Sequence, residues 1–358
     1  MSPSTSGTPT IRTHRPALST TAAAVILSVL LLVSVPIAIG LGSAVISPTE
    51  TLGYLHAAIT GGTISADDLT RYQIIWQVRT PRVLLAAVVG AGLAAVGVAI
   101  QAMVRNALAD PFILGVSSGA SVGAVTVSVT GGFALGVYGV SAGAFIGALV
   151  ASALVYFAAT SAAGVTPLRL VLTGVAMSFG FQAVMSVIIY FVPSGEAAGT
   201  MLFWLMGGFG GATWDELPLV AVAVLAGILI LAANCRGLDI LSLGDEVSAS
   251  LGINGRRLRA GLFAASAITT GAMVAVSGAI GFIGLVMPHV VRILVGASHA
   301  RVLAVAPTAG ALLMVWVDLA SRVLFAPREL PLGVITALIG VPVFLVLLRR
   351  RSYLFGSR

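Results

Sequence analysis

Along most of this chain, apolar residues run for about twenty positions, give way to a short polar connector, and resume, roughly ten times over. A helix rises 1.5 Å per residue, so about twenty apolar residues cross the roughly 30 Å hydrocarbon layer of a bilayer. The pattern predicts membrane-spanning helices near residues 21–42, 83–104, 112–130, 137–159, 168–192, 214–234, 260–277, 279–296, 302–321 and 331–348. Gly115, Gly119 and Gly123 recur every four residues, as do Gly139, Gly143 and Gly147. Each row falls on one helix face and predicts close helix contact, because small residues let backbones approach in lipid. The expected fold class is all-α, a polytopic membrane protein of about ten transmembrane helices.

The expected domain organisation is a single transmembrane domain over 21–348, between a disordered tail at 1–20 and a second tail at 349–358. Residues 1–20 are rich in Ser, Thr and Pro. Arg12 and Arg15 precede an apolar run of about 22 residues, longer than the core of a cleaved signal sequence, so the first span is expected to be retained.

Composition sharpens this reading. A mean hydropathy of +1.08, with 58% hydrophobic and 9% charged residues, is incompatible with one water-soluble core. The net charge of +7 sits in connectors between apolar runs and forms no soluble basic face, so no nucleic-acid partner is expected. All nineteen residues of the Lys+Arg count are arginine. Without a lysine there is no G-x-x-x-x-G-K-[ST] loop, and the chain is expected not to hydrolyse ATP.

Other chemistry is equally poorly provided for. Cys235 is the single cysteine, which excludes an intrachain disulfide or a multi-cysteine metal site. His289 has no H-E-x-x-H companion. Gly115-Val116-Ser117-Ser118-Gly119 matches G-x-S-x-G, but it opens an apolar helix where a nucleophile elbow needs a preceding strand. No catalytic, cofactor-binding or metal-ligating residue is therefore expected. An ion-coupled carrier would place carboxylates or histidines in its spans, and these are sparse; Asp318, four residues before Arg322, is spaced for a local pair.

With the N-terminus in the cytoplasm, fourteen arginines lie inside and five (Arg71, Arg79, Arg82, Arg322 and Arg328) outside, so the positive-inside rule puts both termini in the cytoplasm. Residues 90–115 and 269–294 both read as small-residue helix, break and helix, crossing in opposite senses, an arrangement found in transporters with inverted repeats.

The long charged interruption of the second half is LSLGDEVSASLGINGRRLR, residues 241–259. Ser242 and Asp245 have capping-box spacing, and Gly252, Asn254 and Gly255 form a stop signal. Between them Leu243, Val247 and Leu251 make an apolar stripe, with Asp245, Glu246 and Ser248 facing away. Such a stripe needs a partner surface, either the bilayer interface or a groove on another protein. The acidic start makes anionic membrane lipid the poorer choice.

Six motifs in order carry a resemblance: WQVRTPRVLLAAVVGAGLAAVG (76–97), RNALADPFILGVSSGA (105–120), FWLMGGFGG (203–211), LGDEVSASLGI (243–253), GAIGFIGLVMPHVVRIL (278–294) and DLASRVLFAPRELPLGVITALIGVPVF (318–344). The chain resembles permeases of the FecCD-type ABC importers for ferric siderophores, cobalamin and related chelates, from about residue 72 to 348. The resemblance implies that a cytoplasmic helix at about 243–252, with Leu243, Gly244, Asp245, Glu246, Val247, Leu251 and Gly252, couples to an ATP-binding subunit. It implies that Arg79, Arg82 and Arg322 receive carboxylates of an extracytoplasmic substrate-binding protein, and that Thr166, Pro167 and Leu168 lie at a gate. The implied partners are a second permease subunit, identical or homologous, two ATP-binding subunits holding Mg-ATP, and the binding protein. The implied setting is the bacterial cytoplasmic membrane. The expected cargo is a ferric siderophore, with cobalamin or haem as alternatives. The family usually reads Asn-Pro-Leu-Ala-Asp-Pro where this chain has Asn106-Ala107-Leu108-Ala109-Asp110-Pro111.

Overall fold

The computed structural model describes residues 18–42, 44, 46–130, 138–161, 164–191 and 205–349. The expected tails at 1–20 and 349–358 fall almost wholly outside these residues, as do residues 162–163, shortly before the expected gate, and the first two residues of the 203–211 motif.

Each apolar run with described residues is helical. The helices are α1 (Thr20–Gly40), α4 (Thr80–Met103), α5 (Val116–Val129), α6 (Gly139–Ala159), α7 (Pro167–Tyr190), α8 (Leu217–Ala233), α11 (Gly255–Ser277), α12 (Ile283–Val295), α13 (His299–Val323) and α14 (Leu332–Arg349). Three elements have no counterpart among the predicted spans. They are α2 (Pro48–Thr60), α3 (Leu69–Gln73), which runs through a π-helical stretch at Ile74–Arg79 into α4, and a bent continuation of α8 described below. A two-residue antiparallel ladder, Thr160–Ser161 with Gly164–Val165, joins α6 to α7.

The α2 start carried a legible signal: Ser47 precedes Pro48 and stands three residues before Glu50. The Ser47 hydroxyl accepts the Glu50 amide at 3.2 Å, and the Glu50 carboxylate accepts the Ser47 amide at 2.9 Å, completing a capping box. Those bonds, followed by Arg71 at 2.8 Å, hold the Glu50 carboxyl below its usual range.

Helix α4 forms the centre of the bundle, buried along nearly its whole length. Its small residues permit that. A Cβ on Gly90 would lie 2.3 Å from the Gly310 carbonyl, and one on Gly97 2.0 Å from that of Gly284. The glycine rows meet in the same way. A Cβ on Gly123 would lie 2.0 Å from the Gly143 carbonyl, and one on Gly119 2.5 Å from that of Gly147, so α5 and α6 touch backbone to backbone.

Helices α5 and α12, of 14 and 13 residues, rise only about 20 Å and are too short to span alone. Each follows a break at a residue of positive φ, Gly115 (72°) and Phe282 (69°). Irregular backbone at membrane depth is tolerated where protein supplies its hydrogen bonds. Here the Gln101 amide nitrogen of α4 supplies three, donating to the carbonyls of Leu285 (3.1 Å), Gly284 (3.3 Å) and Ala109 (3.4 Å). Asp110 caps the 3₁₀ turn Pro111–Leu114 by accepting the Phe112 amide at 2.9 Å. The two segments that echo one another in sequence thus break at one shared polar residue. In contrast to α4, helix α7 exposes most of its length.

Candidate functional site

Two clusters of charged residues lie at opposite ends of the bundle. At the first end, α8 bends by 60° into α9 (Cys235–Leu243). The backbone turns again at Gly244, whose φ of 115° suits only glycine, before α10 (Asp245–Ser250). The charged stretch is therefore two short helices broken at Gly244 and not one helix from Ser242. The expected capping box does not form, because the Ser242 hydroxyl donates to the Asp239 carbonyl at 2.6 Å and Gly244 occupies the cap position. Ser248 is turned away from the exposed apolar residues, as expected, but toward the bundle and not toward water. Its hydroxyl donates to the Gly244 carbonyl at 2.8 Å and reaches the Ile240 carbonyl of α9 at 3.4 Å, which ties α10 to α9.

The three apolar residues of the expected stripe are exposed, although the break at Gly244 puts Leu243 on α9 and not on one continuous helix with Val247. Leu243, Val247 and Leu251 are 62%, 38% and 58% exposed, with Glu246 beside them in solvent and Gly252 (φ 72°) ending the segment. Asn254 serves the next helix, accepting the Arg257 amide at 3.0 Å as the cap of α11. Two side chains fix this assembly to the bundle. Asp239 of α9 accepts both the amide (3.1 Å) and the ring Nδ1 (2.6 Å) of His299 at the start of α13. Asp245 of α10 meets Arg259 of α11 at 2.6 Å.

The expected gate residues lie at this same end. Thr166 caps α7 by accepting the Arg169 amide at 3.4 Å, Pro167 is the first helical residue, and Leu168 is exposed. Pro167, Leu168 and Val171 line an open cavity of about 410 Å³ with Val104, Arg105 and Asn106. Further into the bundle, a second open cavity of about 470 Å³ is bordered by Phe112, Phe179 and Phe282, with Asp110, Ser178 and Gln182 as its polar side chains.

At the opposite end the structure brings Arg79, Arg82 and Arg322 together and buries all three. Arg79 donates to the carbonyls of Ile39 (3.2 Å), Gly40 (2.7 Å) and Ala44 (2.7 Å). Arg322 donates to those of Ala38 (2.9 Å) and Leu41 (2.9 Å). Both therefore cap the C-terminus of α1, which has no basic residue of its own in its last turn, satisfying carbonyls and the negative end of its dipole. Arg82 and Arg322 share the Asp318 carboxylate at 2.7 and 3.0 Å, and Arg82 also holds Glu329 at 2.9 Å. Their donors point into their own chain and not outward. The arginine identities were legible in sequence; their carbonyl partners, 35 to 284 residues away, carried no local signal.

The motif at Gly115–Gly119 is preceded by the 3₁₀ turn and not by a strand, so Ser117 does not sit on an elbow. Among the described residues no group of three His, Cys, Asp or Glu side chains could hold a metal ion.

A sequence model of the FecCD transport family matches residues 30–350. The chain belongs to the FecCD transport family. It is 40% identical to a cobalamin import system permease of Halobacterium salinarum over 79% of this chain and 75% of that one. It is 38% identical to a haemin transport system permease of Yersinia pestis (79% and 85%) and 35% identical to an Fe(3+)-citrate import system permease of Bacillus subtilis (83% and 90%). Its fold superposes on a transporter assigned to the metal-chelate ABC type, in an inward-facing conformation, with a TM-score of 0.80 and 33% identity, covering 92% of this chain and 99% of the other. As a FecCD-family chain it is a multi-pass membrane permease of an ABC importer and not an enzyme, ATP hydrolysis lying in a separate subunit.

Proposed function

We propose that this permease carries a ferric siderophore across the bacterial cytoplasmic membrane, with both termini in the cytoplasm, as one of two permease subunits joined to two ATP-binding subunits and fed by an extracytoplasmic binding protein. The observation that carries the reading is the stripe Leu243, Val247 and Leu251. These side chains stand in solvent around Gly244, Leu243 at the end of α9, Val247 on α10 and Leu251 directly after it, ready for a groove in another protein. In this reading α10 is the coupling helix, and Gly252 ends the peg that the ATP-binding subunit, with its Mg-ATP, grips and moves. Thr166, Pro167 and Leu168 form the gate at the same end, and the exposed length of α7 faces the second permease.

The opposite end receives the binding protein. Arg79, Arg82 and Arg322 are its foundation. Arg82 presents a planar fork that Glu329, itself 37% exposed, occupies at rest and that a partner carboxylate can take over. Relatives named for ferric citrate, haemin and cobalamin support a metal chelate as the cargo, and ferric citrate and haemin among them favour iron. The cavity at Asp110, Ser178 and Gln182 offers such a chelate a few polar contacts within an apolar wall, suited to passage. The test is uptake of ⁵⁵Fe supplied on hydroxamate, catecholate and citrate chelators in a strain deleted for this permease and its complemented parent. Iron uptake restored by complementation is expected; cobalamin or haem uptake restored in its place would overturn the assignment.

A further inference from the structure

Arg259 is an arginine at the cytoplasmic end of α11, 4% exposed, yet it reaches a half-exposed carboxylate on the surface helix α10. Its two terminal nitrogens serve different elements. Nη2 lies 2.6 Å from the Asp245 carboxylate, and Nη1 lies 3.0 Å from the carbonyl of Val165. Val165 is in the short ladder between α6 and α7, directly before Thr166 and Pro167. One rigid guanidinium thus joins the first residue of the peg to the residue at the foot of α7. Both sit at the same planar fork, whose geometry is fixed by resonance, so displacing Asp245 displaces the point at which Val165 is held. Elsewhere α10 is held chiefly to α9, through Ser248, and α9 is held to α13 by Asp239 and His299.

We infer that Arg259 is a positioning residue for the gate, transmitting displacement of α10 to the Val165–Leu168 connection through its paired contacts with Asp245 and the Val165 carbonyl. This rests on the reading of α10 as the coupling helix and of 166–168 as the gate, and it adds the physical link between them. The link is short and charge-assisted at Asp245, which makes it stiffer than a van der Waals contact of the same reach. Nε of Arg259, buried without a partner, leaves the fork to be oriented by these two contacts.

The test uses the complex of the permease with its ATP-binding subunit, with Cys235→Ala and a reporter thiol at Leu168→Cys, a solvent-exposed position. The labelling rate with a water-soluble maleimide is compared between the nucleotide-free complex and one trapped with ATP. A ratio of about fivefold or more is expected in this parent, as for ordinary coupling between sites. Asp245→Asn leaves Arg259 on Val165 and weakens only the link to α10. Arg259→Lys keeps the charge, but its compact ammonium cannot serve both partners at fork geometry. In both, the ratio is expected to fall to about one, and Arg259→Lys, a buried position outside the docking residues, should still co-purify the ATP-binding subunit; Asp245→Glu, which retains the carboxylate, is expected to restore the ratio. A role in stability alone would lower the yield of complex and leave the ratio unchanged. Variants that assemble and respond like the parent overturn the relay. A parent whose labelling ignores nucleotide overturns the gate assignment beneath it.

Discussion

The Nε atoms of Arg82 and Arg322 grip opposite oxygens of Asp318, at 2.7 and 3.0 Å, and the carboxylate between them has no exposed surface. It is the one negative charge holding two buried cations, with Glu329 completing Arg82 and main-chain carbonyls completing Arg322.

Asp318→Asn is therefore expected to destabilise the permease sharply. It keeps the shape of the side chain but removes the charge opposite two desolvated guanidiniums. Breaking a buried pair by removing one partner costs about 3–5 kcal/mol. Thermal unfolding in detergent, followed by loss of the monodisperse peak on size-exclusion chromatography, should show a clearly lower midpoint. An unchanged midpoint would mean that water reaches this cluster.

The carbonyl partners of Arg79 and Arg322 show why this end was only half legible in sequence. A lone arginine beside a span reads as anchor or docking site, since nothing nearby in the chain reveals that α1 ends without a basic residue and needs a cap. By contrast the exposure of Leu243, Val247 and Leu251 was legible in the charged interruption around them, whereas the break at Gly244, which puts Leu243 on α9 and Val247 on α10, was not, because helical spacing alone reads through a glycine. Helices α5 and α12 were placed correctly but read as full spans. Their shortening depends on Gln101, a residue in another helix whose amide replaces the missing main-chain partners. What periodicity and motif carry was readable, and what long-range hydrogen bonding decides was not.

Contacts between backbones make a second prediction. Gly97→Ala places a methyl group 2.0 Å from the Gly284 carbonyl, on a helix buried against its neighbours, so α4 and α12 must separate. Overpacking of this kind costs about 1–3 kcal/mol. Gly180→Ala on α7 meets nothing within 4 Å and serves as the control. Thermal midpoints in detergent should separate the two variants; equal midpoints would show that the α4–α12 contact yields without cost.

Glu329 offers a test of the docking face. Glu329→Gln leaves a neutral group on the Arg82 fork, which a partner carboxylate displaces more easily than an anion. Affinity for the loaded binding protein, measured on permease complex in nanodiscs, is expected to rise by several-fold, and the gain should shrink with added salt as the Arg82 charge is screened. Weaker docking would mean that Glu329 itself faces the partner.

The exposed apolar residues either side of Gly244 give the last prediction. Leu243→Asp with Val247→Asp changes two side chains that already stand in water, 62% and 38% exposed, so the permease itself loses little packing and should keep its thermal midpoint. A groove that accepts leucine and valine would have to bury two carboxylates, a cost of several kcal/mol unless they are paired. One such substitution should weaken co-purification of the ATP-binding subunit, and two should abolish it. Cells carrying the double variant should then lose chelate uptake while retaining normal permease levels in the membrane. If the subunit co-purifies undiminished, the ATPase grips the permease elsewhere and the exposed Leu243 and Val247 serve another surface.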